Sequence, residues 1–342
     1  MRLARYSACQ NAGEFRADFG ALPNRLRRRP YRHGMLDRAV CERFLTAPYP
    51  AVHEFWLCYQ EGRAIGGISA NVSASDPDTG CFGLLEFDTD YCGAGEMLLT
   101  GACDWLSNQG VKRVVGPMAF NTWFPYRFRL PDSEPHSFDW EPCNPPDYVQ
   151  LLEDNGFGLT ERYNSIAFGQ LEKVAAQLEA DYRRVLAEGF RVTAFDEGSV
   201  AEQVSTLFRL SHASFAGNDF FEPIPESLFA EAYIRLADKG GRIRAWLLIE
   251  PDGEPVGFFY TFVDRHDDET VAVLKSIGVV PAMRGRGLSN ALVYLGVKAA
   301  ADAGVDYAIS ALVHSGNPSG VFADKGRFRW RHDYALWQKT IA

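Results

Sequence analysis

The chain repeats one order of predicted secondary structure: a strand, its hairpin partner, a third strand, a glycine-containing turn, a helix and a final strand. The second copy has Asp252-Gly253 as its hairpin turn, and the first copy has Glu61-Gly62 at the same point. The predicted elements are 243–249, 256–263, 270–280, 288–303 and 307–313 in the second copy and 54–59, 64–72, 81–87, 95–109 and 111–115 in the first. This repeat indicates an internal duplication and therefore two related domains.

Length and composition agree with two ordinary globular domains. A chain of 342 residues can form two cores, and 46% hydrophobic with 23% charged residues is typical of a soluble globular protein. Residues 171–186 have helical apolar spacing, and residues 190–195 are predicted as the first strand of the second domain. We predict domains at 1–168 and 190–342, with a linker helix at 169–189.

A glycine-rich turn in the second copy, Arg284–Ser289 and here called the glycine loop, joins a β-branched strand end to a helix. Glycines at 285 and 287 let the backbone approach a ligand closely, and the following helix start attracts anions. The glycine loop is not a Walker A loop, because it lacks the lysine that a Walker A loop requires. It also departs from a dinucleotide-binding fingerprint, which would need glycine where Asn290 stands. The turn therefore predicts a pyrophosphate site, with glycines serving packing alone as the alternative.

The pattern Arg284-x-x-Gly287-x-Ser289 resembles the acyl-CoA motif of the GNAT superfamily of N-acetyltransferases, in which the last position is glycine or alanine. The resemblance implies an α/β fold of the α+β type, with two tandem GNAT-like domains, each a mixed, mostly antiparallel sheet flanked by helices. It also implies acetyl-CoA or another acyl-CoA as co-substrate. The residues implied to bind it are Ile277, Val279, Arg284, Gly285, Arg286, Gly287, Leu288, Ser289 and Asn317.

Acyl transfer to an amine requires a neutral amine, a polarised thioester carbonyl and a proton for the leaving thiolate. Backbone N–H groups of residues 277–279 are the implied polarising donors. The base that GNAT enzymes often carry on this strand is replaced by Lys275, and their usual tyrosine acid is replaced by Asp324. His314, at a strand end, is a third catalytic candidate, so the base and the acid both stay open.

The acceptor site is expected in the segment 217–225, which joins two predicted helices of the second domain. The resemblance places the acceptor of GNAT enzymes near such a connection. Asp219 and Glu222 are the candidate ligands for an amine there, and solvation of a connecting loop is the alternative role for both acids.

The first copy resembles the N-terminal half of tandem GNAT proteins over most of residues 1–168, through the run from Gly116 to Phe157. Aligning Gly66 with Gly257 brings the loop glycines at 93 and 95 within one residue of register with those at 285 and 287, and matching these glycines sets Cys92 against Arg284 and Ala94 against Arg286. The first loop also has two aspartates just upstream, which would repel a pyrophosphate. We therefore expect the first copy to be degenerate in CoA binding.

Seven cysteines, all within the first 143 residues, form no CxxC pair and have no metal-like spacing. This pattern predicts reduced, mostly buried thiols and no metal site. No apolar run approaches the ~20 residues of a membrane span, and the N-terminus lacks the apolar core of a secretory signal. A cytoplasmic protein without membrane partners is the resulting expectation.

A net charge of −9 disfavours general nucleic-acid binding. One local basic patch comprises Arg25, Arg27, Arg28, Arg29 and Arg32. It could meet phosphates or a tRNA, and a solvated face neutralised by acids of the same protein is the preferred interpretation. Three hypotheses follow: an N-acyltransferase acting on a small-molecule amine, a tRNA- or carrier-protein-dependent acyltransferase of the same double fold, and a non-catalytic acyl-CoA sensor. The first is preferred.

Overall fold

The computed structural model describes residues 1–7, 13–26, 52–131, 137–138, 140–194, 200–230, 243–266 and 268–341. The predicted basic patch lies outside these residues, apart from the backbone of Arg25 at the end of a helix. Within the described ranges, no helix is long and apolar enough to cross a membrane.

The chain divides into two compact units. The first consists of residues Met1–Arg162 together with Asp333–Ala342, and the second of Tyr163–His332. The helix predicted as a linker lies within the second unit, and the last residues of the chain belong to the first. This division differs from the predicted one because the chain returns at its end to a sheet formed by its beginning.

The first unit is a mixed sheet in the order β1-β2-β3-β4-β5-β13, with only the β4–β5 pair parallel. Its strands are β1 Arg2–Ser7, β2 His53–Gln60, β3 Arg63–Val72, β4 Thr79–Phe87 and β5 Arg113–Gly116, while β6 Phe128–Arg129 pairs with the part of β13 (Arg327–Thr340) that lies in this unit. Its helices are α1 Gly13–Leu26, α2 Ala94–Asn108 and α3 Pro146–Asp154.

The second unit repeats this arrangement in the order β8-β9-β10-β11-β12-β7, with only the β11–β12 pair parallel. Its strands are β7 Gly158–Gly169 from Tyr163 onward, β8 Arg191–Ala194, β9 Ile243–Ile249, β10 Pro255–His266, β11 Glu269–Val279 and β12 Tyr307–His314. Its helices include α4 Leu171–Ala187, α5 Val200–Phe215 and α6 Leu288–Asp302. The predicted fold class is confirmed, with a mostly antiparallel sheet in each unit.

The helix beside the parallel pair packs on its sheet in each unit through apolar residues at helical spacing. In α6 the buried positions include Leu288, Leu292 and Val297, and they join a core that also contains β10, β11 and α4 side chains. Gly296 permits close approach, since a Cβ there would lie 2.3 Å from the Phe259 ring. Gly304, with φ of 68°, ends α6 in a left-handed cap.

The five described cysteines are free thiols. Cys58 and Cys81 are buried, Cys103 and Cys143 are half-buried, and Cys92 is exposed. Four of the five described cysteines are thus buried or half-buried, and the exposed one, Cys92, lies in the turn before α2.

Candidate acyl-CoA site

The glycine loop lies between β11 and α6, after a short 3₁₀ helix at Pro281–Met283. Gly285 and Gly287 both adopt left-handed backbone conformations, with φ of 79° and 72°. Residues other than glycine rarely adopt this backbone conformation, so the two glycines determine the path of the turn. A Cβ on Gly285 would have no heavy atom within 4 Å, which leaves open space on that side of the loop.

Unpaired backbone donors mark the start of α6. In the described part of the chain, the N–H groups of Gly287, Leu288 and Ser289 have no acceptor, and the N-cap residue Gly287 has no side chain to cap the helix. The Asn290 N–H donates to the Gly287 carbonyl at 3.1 Å. Three fixed donors at the positive end of a helix dipole form a fitting site for a phosphate group.

Arg284 anchors this loop to two other elements. Its Nη2 donates to the Ser214 carbonyl at 2.6 Å, at the C-terminal end of α5, and its Nε donates to the Val279 carbonyl at 3.3 Å, at the end of β11. The guanidinium therefore satisfies backbone carbonyls that a helix end and a strand end leave over. This role was not part of the sequence prediction, which gave Arg284 only as one of the residues implied to bind acyl-CoA.

Arg286 lies in a network of charges with α4. Its Nη2 is 3.1 Å from Oε2 of Glu188, and its guanidinium lies over the Phe190 ring at 5.1 Å. Arg184 binds the other oxygen of Glu188 at 2.6 Å and donates to the Arg286 carbonyl at 2.9 Å. Hydrogen bonds from Arg184 and then from Arg286 hold the pKa of the Glu188 carboxyl below its usual value, against the opposing effect of desolvation.

Sequence reasoning missed Arg184 and Glu188. Both residues come from the segment predicted as a linker helix, and Arg184 lies 102 residues from Arg286 along the chain. A local motif gives no signal for such a pairing. The helical spacing of residues 171–186 could only indicate that this helix packs somewhere on the second domain.

Two strands diverge next to the glycine loop. The parallel β11–β12 ladder ends at Leu274 and Ser310, although β11 continues to Val279. From Ser276 to Val279, the described strands pair with β11 only on its β10 side. The β11 edge that faces away from β10 is thus open for a ligand with amide groups, which is the chemistry of a pantetheine arm.

Lys275 is the extra residue of a β-bulge in β11. Leu274 pairs with Thr261 and Ser276 with Tyr260, so Lys275 is left between two consecutive rungs of the ladder. Bulges of this kind re-aim side chains and occur often beside active sites. The bulge lies one residue beyond the end of the β11–β12 ladder, where the two strands separate.

The corresponding gap in the first unit is closed by its own chain. The β4–β5 ladder ends at Cys81 and Val115, and the next residues of β4 meet the backbone that follows β5. The Met118 N–H donates to the Phe82 carbonyl at 2.6 Å, and a Cβ on Gly83 would lie 2.5 Å from the Ala119 nitrogen. A ligand arm therefore has no room beside β4 at this point.

The structure also corrects the alignment of the two loops. Gly93, with φ of 83°, is the N-cap of α2, as Gly287 is of α6, so these two glycines correspond. Counting back from them sets Cys92 against Arg286 and Asp90 against Arg284, since the first loop is two residues shorter. The first copy still lacks both arginines, and its loop carries an acid in place of one of them.

The remaining predicted catalytic and CoA-binding residues, His314, Asn317 and Asp324, lie at the end of β12 or just after it. His314 is half-buried at the end of the strand, with its ring 5.2 Å from that of Tyr163, and its Nδ1 accepts a hydrogen bond from the Gly316 N–H at 3.2 Å. Asn317 is exposed, and its N–H donates to the His314 carbonyl at 2.8 Å. Asp324 is exposed on a 3₁₀ helix at Pro318–Lys325.

The two candidate acceptor ligands differ in environment. Asp219 is exposed in the turn after α5, whereas Glu222 is 3% exposed. Burying a carboxylate is costly unless other groups compensate for the lost water, and Glu222 does interact with other residues of the structure. An exposed acid such as Asp219 is free of the desolvation cost that Glu222 carries.

The model of the acetyltransferase (GNAT) family matches residues 207–321, a segment that contains the glycine loop and both diverging strands. This segment is a GNAT-family domain. The first unit lies outside the match and forms a second GNAT-like fold. No curated protein sequence matches the chain significantly.

Solved structures similar to this chain include other GNAT proteins. A tandem GNAT protein from the clavulanic acid biosynthesis pathway is 13% identical with a TM-score of 0.57, and the match covers 99% of this chain and 98% of that one. A GCN5-related N-acetyltransferase from Kribbella flavida is 11% identical with a TM-score of 0.54, covering 99% and 71%. A GCN5-related glucosamine N-acetyltransferase region of a fungal β-N-acetylglucosaminidase is 14% identical with a TM-score of 0.56, covering 99% and 38%. At these identities the likeness establishes the tandem GNAT fold.

Proposed function

We propose that the second unit binds acyl-CoA on the glycine loop and that the protein transfers the acyl group to an amine of a small molecule. The observation that carries this proposal is the set of three N–H groups at Gly287, Leu288 and Ser289, which have no acceptor in the described residues. These donors suit the pyrophosphate, and the open edge of β11 from Ser276 to Val279 suits the pantetheine arm.

The transfer needs no protein nucleophile, because the thioester supplies its own leaving group. In a ternary complex, the amine nitrogen attacks the thioester carbonyl carbon, a C–N bond forms and the C–S bond breaks. The proton lost by the amine ends on the thiolate sulfur. Backbone N–H groups near Ile277 and Val279 are the proposed donors to the carbonyl oxygen, which becomes more negative as the amine attacks.

Three side chains are proposed for the chemistry at the amine and the leaving sulfur, and two for the acceptor. Because Nδ1 of His314 accepts the Gly316 N–H, its neutral ring carries the proton on Nε2, which can donate a hydrogen bond to the leaving sulfur. Lys275 and Asp324 are the other catalytic candidates. Asp219 and Glu222 are the proposed contacts for the amine.

Substitution of Ser289 with Asp tests the binding site. A carboxylate in the first turn of α6 would satisfy the free donors and the helix dipole, so it blocks a pyrophosphate without weakening the helix. In the wild type, acetyl-CoA at 100 times its Kd should stabilise the protein by about 2.7 kcal/mol, or roughly 5 to 11 °C in Tm. Ser289→Asp should abolish this shift.

The matched control is Ser227→Asp, which places the same carboxylate in the first turn of a helix that begins at Glu226 in the same unit. It should keep the acetyl-CoA shift. A Ser289→Asp variant that responds to acetyl-CoA like the wild type would refute the assigned site.

Catalysis is tested by thiol release from acetyl-CoA with a panel of small amines. His314→Ala should lower kcat more than KM if the Nε2–H of the imidazole stabilises the negative charge that develops on the leaving sulfur. Binding of acetyl-CoA without turnover on any amine would favour a sensor.

The alternative with a tRNA or carrier-protein donor predicts affinity that falls steeply with salt. No described residue favours that alternative, since the side chains of the basic patch lie outside the described part of the structure.

A further inference from the structure

Helix α4 and its C-cap residue Glu188 supply two charged side chains to the rim of the glycine loop, although neither belongs to the motif in that loop. Arg184 donates through Nη2 to the Arg286 carbonyl at 2.9 Å. The same Nη2 lies 2.6 Å from the position that a Cβ on Gly287 would occupy. This guanidinium therefore stands directly beside the N–H groups proposed to hold the pyrophosphate.

The carboxylate of Glu188 forms ion pairs with both arginines at this rim. Glu188 contacts Arg184 through Oε1 at 2.6 Å and Arg286 through Oε2 at 3.1 Å. It is 36% exposed, and Arg184 and Arg286 are 42% and 44% exposed, so all three side chains can be reached by a solute. Two guanidiniums that converge on one anion form the arrangement that also binds phosphate.

A second acid positions Arg184 without contacting Arg286. Asp181 lies 3.4 Å from Nη2 of Arg184 and accepts a hydrogen bond from Nδ2 of Asn290 at 2.6 Å. Asn290 belongs to the first turn of α6, so Asp181 ties α4 to the start of that helix. Asp181 therefore holds the arginine in place, while Glu188 fills the position in which a phosphate would sit.

We propose that Arg184 and Arg286 bind a phosphate group of the CoA ester and that Glu188 is an internal anion that competes with this phosphate and sets the affinity. The proposal rests on the proposed function, since it assigns further residues to the same site. On binding, the phosphate replaces Glu188 on both guanidiniums, and the displaced carboxylate turns to solvent.

The test is the affinity of Glu188→Gln for CoA, measured by calorimetry at low and high salt. Exposed ion pairs are weak and are screened by salt, so removing the competitor should tighten CoA binding by about 2- to 10-fold at low ionic strength. The gain should shrink at high salt. Arg184→Gln should weaken binding, and in that background Glu188→Gln should give a smaller gain.

The sign of the effect separates this proposal from a structural role. If Glu188 only braced the loop, its loss would loosen the loop and weaken CoA binding. Glu179→Gln is the matched control, because Glu179 forms an equivalent pair with Arg183 on α4, at 2.7 Å. This control should leave the affinity for CoA unchanged.

The choice of ligand identifies the phosphate. An equal gain for CoA and dephospho-CoA assigns the arginines to the pyrophosphate, and a gain for CoA alone assigns them to the 3′-phosphate. An equal gain for pantetheine, which has neither group, would overturn the proposal. Unchanged or weaker CoA binding by Glu188→Gln would also overturn it, and failure of the wild type to bind CoA would instead refute the proposed function.

Discussion

Substitution of Arg284 separates the two roles that this arginine can play in the glycine loop. As an anchor, its planar guanidinium reaches the Ser214 carbonyl at 2.6 Å and the Val279 carbonyl at 3.3 Å at the same time. Lysine at this position keeps the positive charge but offers a single ammonium group, which cannot reproduce the fork. Arg284→Lys should therefore destabilise the protein even without ligand.

The magnitude follows from the shorter of the two hydrogen bonds. A hydrogen bond from a charged donor contributes about 1.5–3 kcal/mol when it is well shielded. Arg284 is exposed, so we expect a smaller loss of about 1 kcal/mol, which for a unit of this size corresponds to a fall in Tm of roughly 2 to 4 °C.

The assay is thermal and urea unfolding of the ligand-free protein, with Arg284→Ala and Arg183→Lys alongside. Arg183 is an exposed arginine on α4 that pairs with Glu179, so Arg183→Lys should leave Tm unchanged. Arg284→Lys and Arg284→Ala should lower Tm by similar amounts. If Arg284→Lys keeps the wild-type Tm and only Arg284→Ala loses the response to acetyl-CoA, the anchoring role is refuted.

Three further predictions concern other parts of the chain. Burial lowers the pKa of His212 from its ordinary value of 6.5. The free energy of unfolding should therefore have its full value above pH 6.5 and should fall as the pH drops through the lowered pKa. His212→Phe should flatten this part of the plot of Tm against pH, and an unchanged plot would contradict the assignment. Gly83→Ala should destabilise the first unit by about 1–3 kcal/mol in urea unfolding, because its Cβ would lie 2.5 Å from the Ala119 backbone, and an unaltered midpoint would show that the backbone can move aside. Iodoacetamide should modify exposed Cys92 well before Cys103, whose pKa burial raises to about 11, as peptide mass spectrometry would show; equal rates would count against this order.

Local secondary structure could be predicted closely from the sequence. The strand predicted at 243–249 has these bounds in the structure, and the helix predicted at 288–303 ends one residue earlier. Hydrophobic periodicity and glycine caps report on the backbone of a few neighbouring residues, which is why they succeed here. The motif of the glycine loop also led to the family for the same reason, since its residues are consecutive.

Features that depend on distant residues could not be predicted in this way. The pairing of Arg184 with Arg286 joins residues far apart in sequence, and the bulge at Lys275 depends on the register between two strands. The alignment of the two loops failed by two residues because motif matching ignores loop length, whereas the helix starts at Gly93 and Gly287 fix the correspondence.

The placement of β13 has a consequence for how the protein is made. The first unit is translated first, but its sheet and core include Ala335 and Trp337, which pair with β6 and β5 near the very end of the chain. Domains usually fold in order as they leave the ribosome. Here the first unit needs Asp333–Ala342, which are translated after the whole of the second unit, so a nonsense or frameshift mutation that removes these residues would spare the proposed acyl-CoA site and yet leave the first unit without a strand of its sheet.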